Sequence, residues 1–292
     1  MAKDFIVAIE LGSSKMTGIA GRKNPDGSIS ILAVAKEDSA SYIRKGVAYN
    51  IERTAQGLSN IVSKLKNTLK TEIEQVYVGI GGQSIHSVKN SIVKELPLDC
   101  IVSQDMVNEL MDTNRSMEYK DCEILDAITQ EYNVDGHYED DPVGIQARHL
   151  EGNFLNVLWR RSFYRNLNKS LDNSGIKVAE MYLAPLTMAD CVLTDAEKRA
   201  GCVLVDLGAD TTTVSVYYRN KLRHIAVLPL GGSNVTKDLE SLQIDEINAE
   251  AMKLKHASAL TNEKDIDADA TLPIGDGRTI PSRMFIQVVE AR

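Results

Sequence analysis

The sequence has few cysteines and no cysteine pair. Cys100, Cys122, Cys191 and Cys202 stand far apart without a CxxC spacing, so neither a structural zinc site nor a dithiol redox centre is signalled, and a reducing compartment is the simplest home. His86, His137, His149, His224 and His256 likewise lack any metal-ligand spacing. There is no excess of positive charge. A formal net charge of -8 argues against nucleic acid as the main partner, because phosphate-backbone binders carry a basic stripe that releases counterions. A small anion can still be captured locally. Long apolar runs are missing too: nowhere do about 18 apolar residues stand together. The start, Met1 to Asp4 followed by Phe5-Ile6-Val7-Ala8-Ile9, has neither a long apolar segment nor a small-residue cleavage site. The visible chain is therefore expected to be soluble, neither exported nor membrane-spanning.

What is present is ordinary for a globular chain of 292 residues, 43% hydrophobic and 25% charged. Its length suggests roughly two units of about 150 residues. Phe5 to Ile9 reads as a buried strand, Gly12-Ser13-Ser14 as a turn, and Met16 to Ala20 as a second strand. Asn24-Pro25-Asp26-Gly27 turns the chain into a third strand, Ser28 to Ala35. From Thr54 to Leu69 the apolar residues Leu58, Ile61, Val62, Leu65 and Leu69 recur at helical spacing, and Val76 to Ile80 is a strand closing on Gly81-Gly82. This order of three strands, helix, strand recurs in part from Cys202: strands at 202–207, 212–218 and 221–229, then a helix through 236–242. Between the copies, a helix from about Asp105 to Met117 with Ser103 as N-cap marks an inserted subdomain. Phe163, Leu167 and Leu171 then step along a helix ending at Gly175, before a strand from Lys177 to Leu183.

The chemistry is expected in the turns. Glu10-Leu11-Gly12-Ser13-Ser14-Lys15 places an acid at a strand end and exposes backbone N–H groups and hydroxyls, which suits a phosphate chain. Asp206-Leu207-Gly208-Ala209-Asp210-Thr211 repeats the acid, the glycine two residues on, and the hydroxyls. Each turn alone is most often just a turn; the pair, opening the same strand unit twice, points to a clamp on one polyphosphate. Glu10 and Asp206 would then hold Mg²⁺ through its waters. Leu230-Gly231-Gly232-Ser233 leads into a helix whose N-terminal N–H groups favour an anion, a third element directed at the same ligand. Trp159, ending the apolar run from Phe154, reads as core. The acidic stretch 135–141 and the basic Arg160, Arg161, Arg165 and Lys169 read as solvated faces, or as opposite poles that guide head-to-tail assembly.

These turns resemble the two phosphate hairpins of the actin-like ATPases, in the version found in the FtsA family of bacterial cell-division proteins. Ile128-Thr129-Gln130-Glu131-Tyr132 and Asp141-Pro142-Val143-Gly144 resemble that family's Gln-Glu-Tyr strand and Pro-x-Gly turn; Leu222-Arg223-His224 and Gly231 to Asp238 resemble its third strand and adenosine-side turn. The similarity covers essentially the whole chain. It implies an α/β fold: an actin-like, ribonuclease H-like duplicated core with an FtsA-type inserted subdomain and an incomplete second half. Residues 1–83 and 160–195 would form the first core, 84–159 the insertion and 196–292 the second domain. The implied cofactors are ATP and Mg²⁺, contacted by Gly12, Ser13, Ser14 and Lys15, by Asp206, Gly208, Ala209 and Thr211, and by Gly231 and Gly232. Glu250 and Lys253 would face the ribose and base, although on spacing alone they are equally a solvated i,i+3 ion pair. Gln130 would orient an attacking water if hydrolysis occurs. The resemblance also implies at most a weak ATPase, a head-to-tail polymer formed through the insertion, FtsZ and other division proteins as partners, and a place at the cytoplasmic face of the inner membrane at the division site.

Departures from the family pattern are Ala209 and Asp210, where glycines are common, and Thr213, where an acid is often found. Asp210 would weaken nucleotide binding or join the Mg²⁺ sphere. His149, with Arg148 beside it, takes a place usually held by a permanently charged base. The run from Ile286 to Arg292 reads as the start of a helix cut short, so a truncated chain without the C-terminal membrane helix is expected, one that binds nucleotide poorly. Residues 261–276 read as a loop or short β excursion where the resemblance places FtsZ contact. Rival readings are a pilus-assembly actin homologue, a small-molecule kinase of the superfamily and an Hsp70-like chaperone ATPase.

Overall fold

A computed structural model describes residues 5–260, 270–274 and 277–292. The first core opens with β1 (Ile6–Leu11), β2 (Lys15–Lys23) and β3 (Ile29–Asp38), an antiparallel meander joined by tight turns. A small hairpin that the sequence did not announce, β4 (Ile43–Arg44) and β5 (Val47–Ala48), precedes α1 (Ile51–Leu69). Asn50 caps α1 by accepting the Arg53 N–H, which starts the helix one turn earlier than the apolar spacing alone suggests. β6 (Val76–Ile80) then lies parallel to β1. Alternation along these strands sends Val7, Ile9, Leu11, Val76, Val78 and Ile80 to one face, where the apolar stripe of Leu58, Ile61 and Leu65 covers them.

The insertion comprises β7 (His86–Glu95), α2 (Gln104–Arg115), β8 (Cys122–Val134), β9 (His137–Glu139) and β10 (His149–Arg160). Ser103 caps α2 as expected. Val107 and Leu110 of α2 pack on Tyr132, Val134, Leu150 and Phe154 to form a second, separate core. Under α2 the buried Asn114 and Asn156 exchange hydrogen bonds of 2.7 and 2.9 Å. The chain returns to the first core through α3 (Arg161–Ser174), capped at Gly175, β11 (Val178–Leu183), parallel to β6, and α4 (Ala184–Val192). The first sheet thus has the order β11-β6-β1-β2-β3. Trp159 is core, as read: it is buried against Phe163 and Tyr164, with Nε1 donating to the Gln83 carbonyl.

The second half begins with α5 (Asp195–Ala200) and the meander β12 (Cys202–Leu207), β13 (Thr212–Tyr218) and β14 (Lys221–Leu228). This sheet does not stand apart. β14 meets β7 at Ala226 and His86, the Ile225 N–H donates to Ser87 Oγ and the Val227 N–H to the Ile85 carbonyl, so one seven-stranded sheet runs β12-β13-β14-β7-β10-β8-β9 through both the second half and the insertion. Tyr217, Leu222 and Ile225 share one apolar cluster with the first core. Beyond lie α6 (Gly232–Glu240), α7 (Glu246–His256), β15 (Thr271–Pro273), β16 (Thr279–Pro281) and α8 (Ser282–Glu290), gathered around Leu239, Met252 and Phe285. Residues 261–269 and 275–276 of the expected loop lie outside the described residues; β15 makes the remainder a short β excursion. Both charged stretches are partly engaged within the chain, Asp140 with Lys221 and Arg161 with Glu123.

Truncating either member of the buried asparagine pair leaves one polar atom of the other without its partner, although Asn114 still accepts from Asn90 and Asn156 still donates to Tyr119. Asn156→Ala is expected to destabilise the insertion by about 1–3 kcal/mol, read as a lower urea midpoint, with Asn114→Ala costing a similar amount.

Candidate functional site

The two glycine turns have matching construction. Glu10 is the penultimate residue of β1 and Asp206 of β12, and each is followed two residues later by a glycine. A Cβ on Gly12 would stand 2.6 Å from the Lys15 carbonyl oxygen, and one on Gly208 2.9 Å from that of Thr211, so both turns are too tight for a side chain there. The Gly208 N–H closes its turn on the Thr211 carbonyl at 2.8 Å. The first turn is held from outside: Ser39 Oγ donates to the Gly12 carbonyl and the Gly46 N–H to Ser13 Oγ.

Both turns face one cavity of about 440 Å³, lined from one side by Glu10, Gly12, Ser13, Ser14 and Lys15 and from the other by Asp206, Gly208, Ala209 and Thr211. Thr213 lines it as well. Protein around the Glu10 carboxyl pushes its pKa up even though the residue keeps solvent access through the cleft, and the nearby Asp206 charge adds to the rise against the pull of Lys15. Burial raises Asp206 as well. Two carboxylates that are each costly to ionise form a place for a cation. Among the described residues no group of three or more acidic, histidine or cysteine side chains is placed to hold a metal alone. A pair of carboxylates fits Mg²⁺, which keeps waters and phosphate oxygens in its sphere, and does not make a complete protein cage.

A second cavity of about 800 Å³ adjoins the first, sharing Ser13, Ser14, Gly208 and Ala209 with it. Glu250 and Lys253 both face it. They also pair with each other at 2.6 Å, so the ion-pair and cavity-facing readings hold together. Thr236 Oγ1 donates to Glu250, and Lys253 Nζ donates to Thr236 and to the Gly232 carbonyl. Burial opposes ionisation of Glu250, but the hydrogen bonds from Lys253 and Thr236 outweigh it and hold the carboxyl below its usual range.

Two expectations are corrected. The head of α6 does not offer free amides. The Gly232 and Ser233 N–H groups donate to the Gly208 and Ala209 carbonyls at 2.9 and 2.7 Å, and the Gly231 N–H donates to Asn234 Oδ1. Gly231 is there because the helix abuts the second turn, where a Cβ would lie 2.5 Å from two carbonyl oxygens. Gln130 is not at the cavity either. Its side chain is buried between β8 and β14, with Nε2 donating to the Leu222 carbonyl at 3.1 Å and Oε1 accepting from Arg223 at 3.0 Å, so it joins the insertion to the second half. Residues at the site that the sequence reading did not single out are Thr236, Gly46 and the Lys45 backbone. Gly81 and Gly82, noted only as a strand end, line the smaller cavity.

Two family models match the chain: "Cell division protein FtsA" over residues 203–285 and "SHS2 domain inserted in FTSA" over residues 82–158. Among curated relatives, "Cell division protein FtsA" of Porphyromonas gingivalis is 35% identical over 260 residues, 88% of this chain and 54% of that protein. The proteins of the same description from Neisseria meningitidis and Escherichia coli K12 are 28% and 26% identical, each over 99% of this chain and 70% of the relative. The chain thus spans about half of the first relative and about two thirds of the others. Solved structures with the same fold include the "PilM-PilN type IV pilus biogenesis complex", with a TM-score of 0.58, 15% identity and coverage of 86% of this chain and 69% of that one. MreB5 of Spiroplasma citri bound to ADP gives a TM-score of 0.53 at 10% identity, covering 99% of this chain and 75% of that one.

Two outcomes follow from the electrostatics and from Gln130. Because the Glu10 carboxyl is raised above its unfolded value, its ionisation costs folded-state stability; the cost is absent in acid, grows as pH climbs through the carboxylate range and is complete above the folded value. Glu10→Gln is therefore expected to raise the melting temperature at neutral pH, with the advantage vanishing below about pH 4 in calorimetry across pH. Gln130→Ala removes the acceptor of Arg223 Nη1 and the donor to the buried Leu222 carbonyl, while Arg223 Nε keeps its bond to the Tyr218 carbonyl, and should lower stability by about 1–3 kcal/mol in urea unfolding, with nucleotide affinity unchanged.

Proposed function

The chain belongs to the FtsA family of cell-division proteins, and from that premise we propose that it binds a magnesium-complexed adenine nucleotide between its two halves and serves division as an assembly protein. The observation that carries the nucleotide part is the pair of matching turns, Gly12 and Gly208, facing one cavity with Glu10 and Asp206 beside them. The polyphosphate would lie in the smaller cavity and the nucleoside in the larger, beside Thr236, Glu250 and Lys253. Mg²⁺ would screen the two carboxylates from each other and from the phosphates. Gly12 and Gly208 let the backbone approach the ligand, while Ser13, Ser14 and Thr211 supply hydroxyls and Lys15 a positive charge. Any hydrolysis is slow in this reading, since Gln130 is engaged elsewhere.

The wider role proposed is mechanical: a polymer built head to tail through the insertion, linking FtsZ and other division proteins to the cytoplasmic face of the membrane. The premise for this is family membership together with the actin-like fold. Among the described residues no helix is long and apolar enough to cross a membrane. The pilus-assembly, kinase and chaperone alternatives share the fold, and the two family models favour the division protein over them.

Calorimetric titration with ATP tests the site. Binding is expected with Mg²⁺ present, and Asp206→Asn should weaken it by about tenfold, equivalent to about 1.4 kcal/mol. Equal affinity in the parent chain and the variant would remove Asp206 from the site. Co-sedimentation with FtsZ tests the assembly role separately.

A further inference from the structure

Across the mouth of the cleft the Lys45 backbone N–H donates to Asp210 Oδ2 at 3.1 Å. The donor comes from the β4–β5 hairpin of the first core, and the acceptor from the second phosphate turn. The hairpin turn is stiff. Lys45 and Gly46 have φ of 51° and 73°, the pair of left-handed residues that a two-residue hairpin requires. The Gly46 N–H is held by Ser13 Oγ at 2.8 Å, and the Lys45 carbonyl accepts from the Gln83 N–H at 2.8 Å. Gly46 also lies directly on Gly82. Two successive N–H groups thus point from a fixed turn toward the two phosphate hairpins, the kind of concavity that binds anions. One meets a serine hydroxyl; the other meets a carboxylate.

Position gives this carboxylate its meaning. Lys45 and Asp210 line the larger cavity and Gly46 the smaller, so their bond lies where the two cavities adjoin, on the path from nucleoside to polyphosphate. We propose that the Asp210 carboxylate is an internal stand-in for a phosphate oxygen on the Lys45 amide, so that an incoming nucleotide must displace it and the cleft of this chain is latched until it does. The proposal rests on the nucleotide reading above. Displacement removes a charge-assisted hydrogen bond and leaves the Asp210 charge close to the phosphates, so the latch weakens binding of the polyphosphate while leaving the nucleoside untouched.

The test compares the chain with Asp210→Asn, which keeps an acceptor but loses the charge, and Asp210→Gly, which loses both. Titrations with Mg²⁺-ATP and with adenosine are read beside hydrogen exchange of the Lys45 amide without ligand. The expected result is ATP affinity higher by about tenfold for Asp210→Gly and by less for Asp210→Asn, unchanged adenosine affinity, and faster Lys45 exchange in Asp210→Gly. Weaker ATP binding in both variants would make Asp210 a support for the metal and overturn the latch. Equal ATP affinity in all three chains, or ATP and adenosine changing together, would overturn it as well. If none of the three binds ATP, the nucleotide reading itself fails and takes the latch with it.

Discussion

Two carboxylates on different strands, Glu10 and Asp206, are brought near enough to repel each other, and the arrangement of the site follows from how the fold sustains that proximity. Repulsion alone would drive the halves apart. It is opposed away from the cleft, where Tyr217, Leu222 and Ile225 of the second half are buried in one apolar cluster that also holds Leu155 and Val157 of the insertion and Val7, Ile9 and Leu58 of the first core. Apolar burial and the charge at the mouth of the cleft act against each other. In the reading proposed above, a dication and its phosphates would relieve the mouth without disturbing that burial.

The insertion bears on this balance more directly than its place in the chain suggests. Through β7 and β14 it shares a sheet with the second half, and through Gln130 it supplies an amide that β14 needs: Leu222 and Arg223 both bond to it. Lys221 adds a third tie, donating to the Gln130 carbonyl and pairing with Asp140. The insertion, covalently part of the first core, is bonded to the second. Its own core of Phe154, Leu150 and Tyr132 under α2 keeps it compact.

Much of this was legible in the residues. Strand alternation, the stripe of α1, the caps at Ser103 and Gly175 and the paired glycine turns are local signals, and each element they announced is there within a few residues. Signals failed where the deciding contact is distant in sequence. Two-residue strands such as β4 and β5 have no period to read. The amides of α6 look free from Gly231-Gly232-Ser233 alone; only the approach of Gly208 and Ala209 from more than twenty residues away occupies them. Gln130 was placed by resemblance, and its actual partners, Leu222 and Arg223, lie more than ninety residues further on. Sequence distance hid Asp210 as well: its charge could be read, but not that its carboxylate accepts a backbone N–H from the other half.

The contact between Gly46 and Gly82 has an unusual standing in heredity. A Cβ on the first would lie 2.4 Å from the second's Cα, and one on the second 2.5 Å from the first's carbonyl oxygen. Most touching pairs can drift, a larger residue on one side being offset by a smaller one on the other. No residue is smaller than glycine, so neither position has an exchange to offer its neighbour. Correlated substitution, the usual trace of a contact in descendants of a common ancestor, is closed to this pair, and its closeness can be seen in space but not in a record of paired change.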